Sequence, residues 1–135
     1  MNHELQASCD TCNAPVLDRQ GILWIDMADV DRAVTDVQAW KLLDTEQETA
    51  RDVHFAAACL MQYPKPARWQ VHHTACNPSP RARSYAIEVH RCRSWVGLVW
   101  WTAHLMGTTW LQHTDWEQLL RETVEATGTR IIPAS

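Results

Sequence analysis

The sequence predicts an α+β domain in which helices dominate and a few short strands surround one zinc site. Apolar residues recur at helical spacing from Asp29, short runs in the first and middle parts have the pattern of strands, and the C-terminal part carries helix start and stop signals. With 135 residues, the chain has the length of a single domain, 1–135, with a core of its own.

The first part of the chain predicts a loose start, a strand and a helix. Residues 1–8 carry no regular pattern and are expected to be flexible. The apolar run 22–26 predicts a strand, because it is short and lies between a glycine and an aspartate. From Asp29 onward, the helical spacing of valines and alanines predicts a helix that ends near Leu43.

A separate helix start is indicated directly afterwards. Thr45 and Glu48 have the spacing of a capping box. Pro64 and Pro66 would end that segment, so residues 44–62 are expected to form either a second helix or a mobile segment.

Two more strands are predicted in the middle of the chain. Residues 68–71 alternate polar and apolar side chains and would lead directly into His72 and His73. Residues 85–89 alternate in the same way, which predicts a second strand of this kind.

The C-terminal part predicts two helices that close the core. The first spans about 94–106 and stops near Gly107. The second spans 115–126, with a capping box formed by Thr114 and Glu117 and a stop at Gly128. The pair is expected to be antiparallel or steeply crossed.

Composition excludes several classes of protein. Apolar residues make up 46% of the chain and eight tryptophans are present, which excludes a disordered tail or linker. The start of the chain lacks the pattern of a secretory signal, so a cytoplasmic location is expected, and the run 94–112 is too polar for a membrane span. Five cysteines without an export signal argue against a disulfide framework.

Two short segments rich in ligand residues predict a metal site. Cys9 and Cys12 form a CxxC pair, a turn that places two thiolates close enough to share one ion. His73 and Cys76 form an HxxC pair, and Cys3His is a common structural zinc set. We therefore predict one structural zinc ion held by these four residues. A redox CxxC is less favoured, because such a pair begins a helix after a buried strand.

His72 is an alternative ligand, one position before His73. If a strand continues through both histidines, their side chains point to opposite faces and only one of them can reach the sulfurs. The HxxC spacing favours His73, which leaves His72 as a surface residue or as support for a ligand.

The segments "CDTCNAP", "GILWID" and "HHTAC" together resemble the first zinc module of LIM domains and, more broadly, a treble-clef zinc knuckle. In that pattern, HxxC completes a site that CxxC begins. Sixty residues separate Cys12 from His73, more than in a LIM module, and no second zinc module follows. The resemblance implies a zinc-binding geometry and leaves the function open.

An enzyme is the weaker interpretation. His72, Glu88 and His90 could form the site of a metal-dependent hydrolase or nuclease and faintly resemble the paired histidines of HNH nucleases. A closed four-ligand zinc leaves no position for a substrate, which favours a protein without catalysis. Cys59 and Cys92 have no partner at short spacing and are expected to pack as small apolar residues.

Charge is unevenly distributed along a chain whose net charge is −4. Residues 26–52 hold eight acids and three bases, whereas residues 65–93 hold six bases and one acid. The arginines around the strand at 85–89 could present guanidinium groups to a partner. A protein partner is favoured over nucleic acid, because the chain as a whole is acidic. The candidate partner-binding residues are Arg81, Arg83, Arg91 and Arg93.

Tryptophans are concentrated in the C-terminal part. Most of them are expected in the core and one at an interface, since aromatic residues are enriched at contact centres. The sequence as a whole thus predicts a small zinc-stabilised interaction module, with a metal-dependent hydrolase and a nucleic-acid-binding protein as alternatives. The tryptophans concerned are Trp95, Trp100, Trp101, Trp110 and Trp116.

Overall fold

The computed structural model describes residues 4–50, 64–77 and 83–134. For residues 43–50 it describes only the backbone. Within these residues, the chain forms three α-helices and six short strands, so the predicted α+β class is confirmed. The strands are β1 (Leu5–Ser8), β2 (Pro15–Val16), β3 (Gly21–Asp26), β4 (Gln70–His73), β5 (Ser84–Glu88) and β6 (Ile131–Pro133), and the helices are α1 (Met27–Ala50), α2 (Trp95–Leu105) and α3 (Trp116–Glu125).

The described strands form two antiparallel sheets of three strands each. The first has the order β2-β1-β6 and the second the order β4-β3-β5. In the second sheet, β3 lies in the centre, so Leu23 and Ile25 are buried while the neighbouring strands cover both of its edges. The expected strand at 22–26 is confirmed.

The first sheet corrects the prediction of a loose start at residues 1–8. Leu5 and Ala7 are buried, and β1 pairs with β6 from Leu5 opposite Pro133 to Ala7 opposite Ile131. The backbone N–H of Leu5 also donates to the carbonyl of Arg93 at 3.0 Å. Residues 5–8 are therefore a structural part of the core, and β6 is a strand that the sequence analysis did not predict.

Helix α1 corrects the predicted break near Leu43. A carboxylate oxygen of Asp26 accepts the N–H of Ala28 at 2.9 Å and starts the helix, which then runs to Ala50 without interruption. The predicted break contains no glycine or proline that would end a helix there. Thr45 and Glu48, whose spacing predicted a new helix start, fit equally well inside a helix. The remainder of the predicted segment, residues 51–62 with Cys59, lies outside the described residues.

The two strands beside β3 have other bounds than predicted. The strand expected at 68–71 is β4 at residues 70–73, because the N–H of Trp69 donates to the side chain of Asp115 at 2.8 Å instead of to a neighbouring strand. The strand expected at 85–89 is β5, which ends one residue earlier where a 3-10 turn, Val89–Cys92, begins.

Helix α2 confirms the predicted helix at 94–106. The hydroxyl of Ser94 accepts the N–H of Gly97 at 3.0 Å and caps the helix, which ends at Leu105, before Gly107. Gly97 is required by close packing, because a Cβ there would lie 2.2 Å from the carbonyl oxygen of Arg91.

Helix α3 confirms the last predicted helix, but its ends differ in detail. The hydroxyl of Thr114 accepts the N–H of Trp116 at 3.3 Å, and no side chain caps the helix from Asp115. The carboxylate of Asp115 accepts the backbone N–H of Trp69 instead. Ala126, with φ 56°, supplies the left-handed residue that we expected Gly128 to provide. The antiparallel or crossed arrangement of α2 and α3 stays a prediction.

The core is centred on Trp69, which is fully buried. Its ring lies edge-on to Trp116 with centroids 5.1 Å apart, and its indole N–H donates to the hydroxyl of Thr114 at 3.0 Å. Trp116 is buried, whereas Trp95, Trp101 and Trp110 are half-buried and pack against the core; Trp100 is exposed. The expectation that most of the C-terminal tryptophans join the core is confirmed.

The described helices include no candidate for a membrane-crossing segment, since none is both long enough and apolar enough.

Candidate metal centre

The first pair of candidate ligands lies in the loop of a hairpin. Strand β1 pairs with β2 through Ser8 opposite Pro15, so the intervening residues form a tight loop that carries Cys9 and Cys12. The N–H of Cys9 donates to the carbonyl of Ala14, and the N–H of Asn13 donates to the carbonyl of Cys9, both at 2.9 Å. These bonds close the loop, in which the sulfurs of the two cysteines lie within 4.8 Å of each other.

The second pair lies where β4 ends. His73 is the last residue of the strand, and Cys76 closes the 3-10 turn Thr74–Cys76 that follows it. Gly21 pairs with His73 across β3 and β4, and a Cβ at this glycine would lie 2.3 Å from the carbonyl oxygen of His72. Only glycine therefore lets the two strands approach this closely at the site.

Hydrogen bonds within the protein join the two halves. The N–H of Asp10 donates to the carbonyl of Val71, and the carboxylate of Asp10 accepts the N–H of Val71, both at 2.7 Å. The hydroxyl of Thr11 lies 3.3 Å from the carbonyl oxygen of Cys76 and 2.9 Å from Nδ1 of His72, so it contacts both residues. The CxxC loop is thus fixed against the HxxC segment by its own contacts.

The four predicted ligands meet in one cluster. The ligand atoms of Cys9, Cys12, His73 and Cys76 all lie within 4.8 Å of one another. The Nδ1 of His73 is 3.3 Å from the sulfur of Cys12 and 3.9 Å from the sulfur of Cys76. A tetrahedral zinc ion with ordinary bond lengths separates nitrogen and sulfur ligands by about 3.6 Å, so these distances bracket the required value. The cluster could hold a metal ion.

His73 is oriented by a bond on the far side of its ring. Nδ1 faces the sulfurs, while Nε2 lies 3.0 Å from the carbonyl oxygen of Pro15. A proton on Nε2 that is donated to this carbonyl leaves Nδ1 with a free lone pair, which is the tautomer that a metal ligand needs. Pro15 belongs to β2, so the hairpin that carries the cysteines also orients the histidine.

His72 lies on the opposite face of β4 and is absent from the cluster. It is buried, with Nδ1 2.9 Å from the hydroxyl of Thr11 and Nε2 2.7 Å from the side-chain oxygen of Gln70. Both ring nitrogens therefore have protein partners. The choice of His73 over His72 agrees with the structure, and His72 supports the CxxC loop through Thr11.

The protonation of the cysteines differs within the cluster. Burial would raise the pKa of Cys9, but backbone N–H groups of Cys12, His73 and Thr11 donate to its sulfur and lower the pKa to about 5. Desolvation raises the pKa of Cys76, and the sulfurs of Cys12 and Cys9 raise it further, to about 11. Without a metal, the cluster therefore favours the thiolate form of Cys9 and disfavours that of Cys76. A divalent cation bound between the sulfurs would stabilise both thiolates.

The other cysteine that the structure describes is not part of any ligand group. Cys92 is buried, and burial raises the pKa of its thiol to about 12. It packs in the core as a small apolar residue, as the sequence predicts.

The alternative enzyme residues do not assemble. Nδ1 of His90 lies 3.5 Å from the carboxylate of Glu88, but His72 is held elsewhere by Thr11 and Gln70. In the described part of the chain, the Cys3His cluster is the only group of three or more such side chains positioned to bind a metal.

The arginines predicted to bind a partner have unequal surroundings. Arg81 lies outside the described residues. Arg83 is exposed and forms an ion pair with Asp31 of α1, and Arg91 is exposed at 3.8 Å from Glu88. Arg93 is largely buried, with its guanidinium 2.8 Å from Asp18. Its side chain is engaged within the molecule, and the role of these arginines in binding a partner stays a prediction.

The sequence analysis missed the residues that support the cluster. Asp10 and Thr11 lie inside the CxxC motif, where polar residues are common and carry no special signal. Their hydrogen-bond partners are some sixty positions away, so the sequence does not reveal them. Gly21 carried a usable signal, because it stands at the start of an apolar strand.

Comparison with known proteins found no match for this chain among protein-family profiles, curated proteins or solved structures.

Proposed function

We propose that this chain is a zinc-stabilised protein-interaction module without catalysis. The observation that carries the proposal is the number of ligands: three cysteines and one histidine place their ligand atoms within 4.8 Å of one another, enough to occupy all four positions around a tetrahedral ion. Catalytic zinc sites have three protein ligands and keep one position for water or substrate. A site filled by protein side chains stabilises structure instead.

Zinc is the metal that suits these donors best. Thiolate and imidazole ligands in a tetrahedral arrangement favour zinc over magnesium or calcium, which prefer oxygen ligands. The CxxC pair lies in the loop of a hairpin and the HxxC pair follows a strand, which supports a treble-clef type of knuckle. The free thiols also need a reducing environment, so we propose a cytoplasmic location.

The structural task of the ion is to join two sheets. Cys9 and Cys12 extend from the sheet β2-β1-β6, whereas His73 and Cys76 extend from the sheet β4-β3-β5. Binding of a structural zinc contributes on the order of 10 kcal/mol at neutral pH. The ion thereby strengthens a junction between the sheets that hydrogen bonds from Asp10 to Val71 already form.

A second region is suited to contact a partner protein. Helix α2 exposes Val96, Val99 and Trp100, and Met106 follows at its end; exposed apolar side chains grouped on one face mark interaction sites. Arg91 is exposed just before the helix and adds a polar edge to this surface. We propose that a protein binds here.

Metal analysis tests the zinc site. The wild-type protein should contain one zinc per chain, Cys12→Ser should lose most of it, and Cys92→Ala should retain it, because Cys92 is buried away from the cluster. Full zinc content in Cys12→Ser, or no zinc in wild-type protein purified without a chelator, would show that the ligand assignment is wrong.

Cobalt substitution tests whether the site is closed. Cobalt(II) bound in place of zinc should give the intense absorption of a tetrahedral thiolate site, and added azide or cyanide should leave the spectrum unchanged. A spectral shift with an added anion would reveal an open position and would favour a metal-dependent hydrolase over the interaction module.

A further inference from the structure

We infer that Cys12 is an oxidation site: hydrogen peroxide oxidises its sulfur first, the oxidised sulfur forms a disulfide bond with Cys76, and the metal ion is released. This inference rests on the proposed function in one respect, because the ion is the zinc that we propose to bind here. It adds a covalent modification that decides whether the four ligands are available.

The three cysteines of the cluster differ in their access to solvent. Cys12 is exposed, Cys76 is half-buried, and Cys9 is buried with only 1% of its surface exposed. Oxidation of a cysteine by peroxide follows its thiolate character and its exposure. Because a sulfur that binds a metal is deprotonated, all three are thiolates in the loaded site and exposure selects among them. Cys12 is therefore the first sulfur that peroxide reaches.

Hydrogen bonds protect the sulfur of Cys9 in addition to its burial. Backbone N–H groups of Cys12, His73 and Thr11 donate to this sulfur. Such bonds occupy the lone pairs that a nucleophile needs and make the sulfur a weaker attacking group. Cys9 is thus the least suited of the three to react with peroxide or with an oxidised neighbour.

Cys76 is the neighbour best placed to react with oxidised Cys12. Nδ1 of His73 lies 3.3 Å from the sulfur of Cys12 and 3.9 Å from the sulfur of Cys76, so both sulfurs lie beside the same ring nitrogen. The two sulfurs lie within 4.8 Å of each other. Since a disulfide bond is about 2 Å long, the sulfurs need to approach by about 3 Å at most.

The reaction consumes one peroxide and two thiolates. The Cys12 thiolate attacks one oxygen of hydrogen peroxide, the O–O bond breaks, a sulfenic acid forms on Cys12 and hydroxide leaves. The Cys76 thiolate then attacks the sulfur of this sulfenic acid, the S–O bond breaks and a second hydroxide leaves. Two protons from solvent convert both hydroxides to water. The two sulfurs thereby lose two electrons, which the peroxide gains.

The disulfide removes two of the four ligands. Only Cys9 and His73 remain, and these two are fewer than the three protein ligands that even an open zinc site retains. The new bond joins the CxxC loop to the segment after β4, as the ion did. The hydrogen bonds between Asp10 and Val71 connect the same two parts of the chain. We therefore expect the oxidised protein to stay folded without the ion.

Peroxide treatment of the zinc-loaded full chain tests the inference. A zinc-sensitive dye should record about one ion released per peroxide consumed, peptide mass spectrometry should find the disulfide between Cys12 and Cys76, and dithiothreitol should restore zinc binding. Cys92→Ala is the control outside the cluster, because this cysteine is buried and packs in the core. It should release zinc at the rate of the wild-type protein.

Two histidine substitutions separate the roles of the sulfurs. Cys12→His and Cys76→His each leave two cysteines and two histidines, which is itself a common structural zinc set. Cys12→His should slow zinc release by about tenfold or more, because the exposed sulfur is gone. Cys76→His should still be oxidised at Cys12 and should accumulate the sulfenic acid, which dimedone traps for mass spectrometry.

The order of labelling in the wild-type protein decides if a histidine variant fails to fold or to bind zinc. With limiting peroxide and dimedone, Cys12 should be labelled first. Earlier labelling of Cys9 or Cys76 overturns Cys12 as the first site, and a disulfide between Cys9 and Cys12 overturns Cys76 as its partner. Retention of zinc under excess peroxide overturns the inference and leaves the zinc module intact. Wild-type protein without zinc overturns the module, while the labelling order still decides the oxidation site.

Discussion

Replacing Arg130 by methionine should destabilise the protein strongly, although the residue lies far from the metal centre in sequence. Arg130 is only 3% exposed, and its guanidinium binds Asp115 at 2.8 Å, Glu122 at 2.9 Å and the carbonyl oxygen of Trp69 at 2.9 Å. These bonds link α3 to the residue that precedes β4, the strand that ends in His73. The change to methionine keeps the apolar stem and removes the charge.

The magnitude follows from what the substitution leaves behind. The Asp115 carboxylate stays largely buried in the variant. One of its oxygens still accepts the N–H of Trp69, while the other loses the guanidinium group of Arg130. Removing one partner of a buried ion pair costs about 3–5 kcal/mol. Because Glu122 is partly exposed and can be hydrated, we expect a loss of about 3 kcal/mol, at the lower end of that range.

Arg121→Met is the matched control. Arg121 binds Glu117 at 2.7 Å, the same kind of pair at nearly the same distance, but the arginine side chain is 66% exposed. An exposed pair at this helical spacing contributes about 0.3–0.5 kcal/mol. Urea denaturation of both variants at saturating zinc gives the two free energies of unfolding. Losses that agree within about 1 kcal/mol would refute the argument that burial decides the strength of this pair.

Three further changes should have defined effects on the free energy of unfolding. The hydrogen bond from Arg130 lowers the pKa of Glu122 below its usual 4.5, so the ionised Glu122 stabilises the fold above pH 4.5 and this effect is lost as the pH falls. The difference in free energy of unfolding between wild type and Glu122→Gln should therefore shrink as the pH is lowered through this range. Gly21→Ala should cost about 2–3 kcal/mol through the clash at His72, whereas exposed Gly107→Ala should change little. Trp69→Phe should cost about 2–4 kcal/mol, because it creates a cavity and leaves the Thr114 hydroxyl without its indole donor, and equal stability would contradict both assignments.

Elements with strong local signals could be predicted from the sequence. Helix α2 begins and ends within one residue of its predicted bounds, and β3 spans Gly21–Asp26, where a glycine and an aspartate bound the apolar run. The cluster of candidate metal ligands was predicted for a related reason, because two pairs of cysteine and histidine residues at short spacing are typical of a zinc site.

The predictions were wrong where contacts between residues far apart in sequence determine the local structure. Strand β1 exists because β6, more than a hundred residues later, pairs with it, and four alternating residues in β1 and three residues in β6 are too few to predict a strand alone. At α3, the local capping box of Thr114 and Glu117 loses to tertiary bonds: Trp69 donates to Thr114 through its indole nitrogen and to Asp115 through its backbone. Local rules therefore predict that a helix begins at this position but do not predict which side chains bind its first N–H groups.

The contacts around the cluster explain how a site divided by sixty residues can bind one ion. A metal that had to bring the CxxC loop and β4 together would lose much of its binding energy to the entropy of closing that long loop. Here Asp10 and Val71 exchange two hydrogen bonds, Pro15 orients His73, and Thr11 connects the loop to Cys76. These bonds hold the ligand residues near one another without a metal, so a bound ion would add its free energy to a geometry that the contacts between the two sheets already favour.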